Sequence, residues 1–239
     1  PFVTAVAKIM RNSDKTVVYE ARKRVCIPQI VQFLYDADAV SLIKAGAYGT
    51  PDGVPTTIIQ PVSDAEWEAM RTSIPAGAQT VINYTDANIR YVSDSAAVLP
   101  PFKTVRFAKR SSLYLGETVD FSFMNASTNG EAFVHINVFY NNFPVYSNVV
   151  SGTFALPVTP NEVRLHCIMT AVHESGHMFG MVENNGVLGG KKHHNPDPNG
   201  TRLMDDGETV PYEVRFGRAG PWAWRSLNAA YLRFVFPKE

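Results

Sequence analysis

An excess of charge of either sign is missing from this chain: Lys+Arg and Asp+Glu each number 22 in 239 residues. A dedicated nucleic-acid binder shows a basic excess, so no nucleic-acid partner is expected. No apolar run approaches the roughly 20 residues that a membrane-spanning helix needs, so no transmembrane segment is expected. Cysteine is scarce. Cys26 and Cys167 leave two states open, one long-range disulfide or two reduced thiols. Internal repeats and low-complexity tracts are absent. The chain begins at Pro1 without Met. The expectation is a removed leader and a secreted or extracellular protein. What is present is ordinary material for a globular core, 45% hydrophobic and 18% charged residues.

Residues 2–10 and 16–20 are rich in β-branched residues and read as strands, with turn chemistry at Asn12-Ser-Asp14 between them. Ile30, Val31, Phe33 and Leu34 recur at helical spacing after Pro28, which predicts a short helix over 29–36. Residues 46–62 hold Gly46, Gly49, Pro51, Gly53, Pro55 and Pro61. They read as a loop and as the best candidate boundary. It separates 1–60, an N-terminal extension or module or a part of the same fold, from 61–239. Ser63-Asp-Ala-Glu66 is a capping box that opens a helix over about 64–73, with Trp67, Met70 and Ile74 on one face. Strands are predicted at 79–84, 88–93, 104–108, 117–124 and 132–140, and a polar, proline-containing loop at 141–158. A second capping box, Thr159-Pro-Asn-Glu162, places Pro160 at the first helical position and opens a helix over about 160–179. Gly180 is its natural stop. A further helical segment lies near 222–234.

The last two turns of the 160–179 helix read His173-Glu-Ser-Gly-His177. Residues four apart share a helix face, so both imidazoles reach one metal ion. Glu174 is then near enough to touch a water on that ion and badly placed to be a ligand. This is the H-E-x-x-H pattern of zinc peptidases. Two histidines leave the site incomplete, because catalytic zinc takes three protein ligands and keeps a fourth position for water or substrate. Three candidates lie downstream: Glu183, His193 and His194. The plain alternative for the histidine pair is a solvated loop after Lys191-Lys192. His166 is about 10 Å from His173 along the axis by helical rise, too far for the same ion, and reads as structural. His135 reads as a surface or hydrogen-bonding residue, and Cys167 as core.

His173-Glu-Ser-Gly-His177-Met-Phe-Gly180 resembles the H-E-x-x-H-x-x-G opening of the metzincin zinc endopeptidases. In that family a third histidine usually follows three residues after the glycine, and a methionine in a tight turn lies beneath the metal. This chain has Glu183 at the usual third position. His194-Asn-Pro-Asp-Pro-Asn-Gly-Thr-Arg-Leu-Met204 resembles the matrixin arrangement, with 181–193 as an insertion before the third ligand. The resemblance implies His194 as third ligand, with His193 and then Glu183 as alternatives, and Met204 as the Met-turn residue. It covers roughly 63–239 and is specific around 173–204.

The resemblance also implies an α+β fold, a twisted mixed β-sheet packed with an active-site helix and a C-terminal helix. Residues 61–239 would be a zinc metallopeptidase catalytic domain. The cofactor would be zinc, with Glu174 as general base, and the substrate a polypeptide paired with an edge strand above the cleft. Residues 132–140 are the candidate strand. Tyr212, beyond Met204, stays outside the catalytic set. Two other readings stand beside this one: a zinc hydrolase of a non-protein amide, and a catalytically silent binding module stapled by zinc. Intact Glu174 speaks against the silent version, since a structural site has no use for a base there.

Overall fold

The computed structural model describes residues 2–11, 13, 15, 17–119, 129–181, 194, 195, 200–220 and 222–238. β1 (Phe2–Met10) and β2 (Val17–Cys26) form an antiparallel hairpin where strands are predicted. The expected helix over 29–36 is instead a strand, β3 (Gln29–Tyr35). It lies inside a five-stranded sheet, between β6 (Ile89–Val92) and β7 (Phe102–Ala108), parallel to both. A central parallel strand is covered on both faces and reads as a near-continuous apolar run, which a helical period fits equally well over seven residues. β3 thereby shares one sheet with strands from beyond residue 88.

Beyond β7 the sheet continues to β9 (Gly130–His135), parallel to it, and ends at β8 (Gly116–Thr118), antiparallel to β9. The order is β6-β3-β7-β9-β8. β9 is therefore paired on both sides, and the candidate substrate strand over 132–140 is not an edge; β8 is. The run 132–140 is also not one strand. After His135 it becomes α3 (Ile136–Asn142), because Ile136, Phe139, Tyr140 and Phe143 are buried at helical spacing. The strand expected over 117–124 is described only to residue 119; its remainder lies outside the described residues.

α1 (Ala37–Ala45) follows β3. The expected loop at 46–62 holds a small hairpin, β4 (Ala47–Gly49) and β5 (Thr56–Ile59), joined through a 3-10 turn at Pro51–Gly53. α2 (Asp64–Asn83) starts at the predicted capping box, with the Ser63 amide donating to Glu66 Oε2 at 2.8 Å and the Glu66 amide to Ser63 Oγ at 3.3 Å. It is twice as long as predicted and takes in 79–83, where a strand was expected. Ile74, Ala78 and Ile82 extend the buried face of Trp67 and Met70, and that tertiary cover overrides the β-propensity of the segment. Pro75 sits inside this helix. It has no N–H, so the Arg71 carbonyl loses its helical donor; the Tyr35 hydroxyl of β3 donates to it instead, at 3.1 Å.

The expected loop over 141–158 is partly ordered as a 3-10 turn at Phe143–Val145 and α4 (Ser147–Val150), with Phe143, Val149 and Phe154 in the core. α5 (Pro160–Met178) begins at the second predicted capping box, the Thr159 amide donating to Glu162 Oε2 at 2.8 Å. It packs between α2 and the β8–β9 end of the sheet. α6 (Tyr212–Arg215) was not predicted. α7 (Ser226–Val235) is the C-terminal helix. Its Tyr231 hydroxyl donates to Phe179 O at 3.0 Å, just past the end of α5. The architecture is α+β, a mixed sheet with helices. Among the described residues no helix is long and apolar enough to cross a membrane. Cys26 and Cys167 are free thiols, not a bridge.

Candidate metal centre

α5 ends in a Schellman motif. The Gly180 amide donates to His177 O at 2.9 Å and the Met181 amide to Gly176 O at 3.1 Å. Gly180 takes φ +93°, which a side chain resists. The turn does more than stop the helix. It brings the Met181 carbonyl to His177 Nδ1, at 3.0 Å. His173 Nδ1 meets the Leu203 carbonyl in the same way. A carbonyl only accepts, so each Nδ1 carries the proton and each Nε2 of the neutral ring keeps its lone pair. Burial, then the two neighbouring histidines, hold the His173 pKa well below the usual histidine range, which keeps that ring neutral.

The two Nε2 atoms face each other at 3.1 Å. Two lone pairs at that distance repel unless a cation lies between them. Tetrahedral zinc with N ligands at about 2.0–2.1 Å sets its nitrogens about 3.3–3.4 Å apart, close to this spacing. His194 closes the third corner. Its ring centroid lies 5.2 Å from that of His173 and 5.3 Å from that of His177, against 4.8 Å between those two. Ligand atoms of all three lie within 4.8 Å of one another. His173, His177 and His194 could therefore hold a metal ion, and the all-nitrogen donor set suits zinc. His193 and Glu183, the alternative third ligands, lie outside the described residues.

Met204 is fully buried against α5. A β-carbon on Gly176 would stand 2.5 Å from Met204 Sδ and 2.8 Å from Met181 Cε. The fourth letter of the helix motif is thus a glycine because Met204 occupies the space. Asp205, also fully buried, ties Asn195 to Gly200 and Arg202. Its Oδ1 accepts from Asn195 Nδ2 at 2.7 Å, and its Oδ2 from the amides of Gly200 and Arg202 at 2.9 and 3.1 Å. The Asn195 amide donates to Met204 O at 2.8 Å.

Glu174 is buried under the edge strand. Thr118 Oγ1 of β8 lies 2.9 Å from Glu174 Oε2 and 2.9 Å from Glu174 O, so its one proton is shared between them. A β-carbon on Gly116 would stand 2.5 Å from Glu174 Oε1, so β8 crosses the carboxylate only because it has glycine there. Burial pushes the Glu174 carboxyl up to about 8, against the Thr118 hydroxyl, which pulls it down.

The histidines, Glu174 and Tyr212 line one cavity of about 700 Å³. His166 and His135 stand apart from the metal cluster. His166 is buried and stacked on Phe139 at 4.1 Å. His135 is buried rather than at the surface, with Nδ1 2.8 Å from Tyr114 O. Sequence reasoning missed Gly116, Thr118, Thr170, Asp205 and Arg215. Gly116, Thr118 and Arg215 carry no local signal, since they meet the site from other parts of the chain; Thr170, one turn before His173, and Asp205, next to Met204, lie close to the motifs but match no ligand or base pattern. Comparison of the chain with protein-family models, curated proteins and solved structures finds no match.

Proposed function

We propose that this chain is a zinc-dependent endopeptidase of the metzincin kind. The reading rests on one observation above all: three imidazoles converge beside a buried glutamate, in a cleft lined by β8, the last strand of the sheet among the described residues. The position of Met204 against Gly176 supports the Met-turn role. β8 ends the sheet among the described residues, which favours an extended polypeptide over a compact amide, because an edge strand's backbone groups offer a ladder to a passing strand. A silent, metal-stapled module remains the weaker reading. Burying a carboxylate at Glu174 is costly, and a structural site gains nothing from it.

A zinc ion held by His173, His177 and His194 would supply Lewis acidity, which lowers the pKa of a water from about 15.7 to about 7. The neutral imidazoles leave the cation's charge undiminished. Glu174 takes the proton of the attacking water and delivers it to the leaving amine nitrogen. The Thr118 hydroxyl orients the Glu174 carboxylate during both transfers. β8 aligns the substrate backbone over Glu174 and the histidines.

The deciding experiment is casein or gelatin digestion with and without a chelator, using the wild-type protein and Glu174→Gln. Cleavage should be chelator-sensitive in the wild type and absent in the variant, with zinc content unchanged. Substantial cleavage by Glu174→Gln overturns the mechanism. For the third ligand, zinc content should fall in His194→Ala and persist in His193→Ala and Glu183→Ala.

A further inference from the structure

We infer that the cleft contains a receptor for an acidic substrate side chain, built from Arg215 and Thr170. The inference rests on the peptidase reading of the site. Arg215 ends α6, and Thr170 lies on α5, three residues before His173. Both line the cavity that holds the three histidines. Both are deeply buried, Arg215 at 5% and Thr170 at 3% exposure.

Arg215 is incompletely satisfied. Its Nε donates to Val210 O at 3.2 Å and its Nη2 to Gly207 O at 2.9 Å. A guanidinium has five N–H donors, so most of the fork is unused. Among the described residues no carboxylate lies in ion-pair range of it. Glu174 acts on it through space only and is hydrogen-bonded by Thr118 instead. Among the described residues the Thr170 hydroxyl has no hydrogen-bond partner. A buried cation and a buried hydroxyl left in this state are costly unless something completes them. A carboxylate completes both: its two oxygens match the planar fork of Arg215 and accept from Thr170.

The placement suits a side chain rather than the reacting carbonyl. Thr170 precedes His173 by about 4.5 Å along the helix axis, within reach of a glutamate or aspartate whose backbone lies at the histidines. Glu117 and Asp206 also face the cavity, but their side chains are 48% and 37% exposed. Water and salt screen those rim charges far more than the buried one.

The test measures binding to zinc-loaded Glu174→Gln protein, which does not turn over in the proposed mechanism. The probes are pairs of end-blocked octapeptides identical except for Glu or Gln at one position, read by calorimetry. At one position the Glu peptide should bind at least about tenfold tighter, the usual size of a charge-assisted hydrogen bond. Adding Arg215→Gln should remove that preference. Adding Thr170→Val should weaken it a few-fold, and this second variant leaves the Gly207 and Val210 anchors intact. Equal binding of every Glu and Gln pair overturns the inference, even where the wild type digests casein. A preference that survives Arg215→Gln in a folded protein overturns it too. If acidic peptides bind through Arg215 and no peptide is ever cleaved, the receptor stands and the peptidase reading fails.

Discussion

On α5, His173, Glu174 and His177 stand on a helix closed at both ends by local motifs, the capping box at Thr159–Glu162 and the Schellman turn at Gly180. The facing half of the site has no such scaffold. Among the described residues it consists of a three-residue edge strand, residues 194, 195 and 200–205, and a four-residue helix. What holds this half is a set of tertiary bonds: Thr118 to Glu174, Leu203 O to His173, the Leu203 amide to Ala223 O at 2.9 Å, and Asp205 to its own loop. The helical half carries most of the reactive groups, and the irregular half aims them. Precision at such a site depends on the supporting contacts as much as on the ligands.

The sharpest break of this comparison is His177→Ala, on the helical half. It should abolish stoichiometric zinc binding, measured by metal analysis after gel filtration, while α5 itself stays folded by circular dichroism. Next comes Asp205→Ala, on the irregular half. Loss of its bonds to Asn195, Gly200 and Arg202 should weaken zinc by about 10- to 100-fold, the usual effect of removing a supporting contact. Competition with a chromophoric chelator reads this, and unchanged affinity would show that the loop holds its shape without Asp205. Gly176→Ala tests where the halves touch. On an exposed helix the change gains about 1 kcal/mol. Here the β-carbon meets Met204, and a net loss of about 1–3 kcal/mol is expected in urea unfolding of metal-free protein. A gain in stability would mean that Met204 moves aside freely.

The smallest effect concerns pH. Burial depresses the His166 pKa well below 6.5, so the folded chain refuses a proton that the unfolded chain accepts. Its stability is then full above pH 6.5 and falls below it, by about 1.4 kcal/mol per pH unit. His166→Phe keeps the stack on Phe139 and should flatten that acid slope, seen as a smaller loss of melting temperature between pH 7 and pH 5. An unchanged slope would assign the acid sensitivity elsewhere.

Legibility from sequence followed the same division. Both capping boxes, the Gly180 stop and the two histidines on one helix face are local patterns, and each is found where it was read. His194 also stands with His173 and His177, and Met204 lies against α5. Two misreadings are cases of burial overriding local pattern. Residues 29–35 are apolar enough for helix or strand, and their place between β6 and β7 makes them a strand. Residues 79–83 have strand-like composition, and the shared face of Ile74, Ala78 and Ile82 keeps them helical. The sheet edge lies one strand away from the 132–140 run, because nothing in 116–118 announces that it caps β9.

By itself the sequence determined the 160–178 helix, its boundaries, and the placing of His173, Glu174 and His177 on one face, because caps and helical periodicity act over a few residues. Only the tertiary structure decided what surrounds them. The Thr118 hydroxyl reaches Glu174 across 56 residues of chain, and the Leu203 carbonyl reaches His173 across 30. Contacts of that range depend on how the sheet orders its strands and on which glycines, Gly116 and Gly176, leave room for a carboxylate and a thioether to pass.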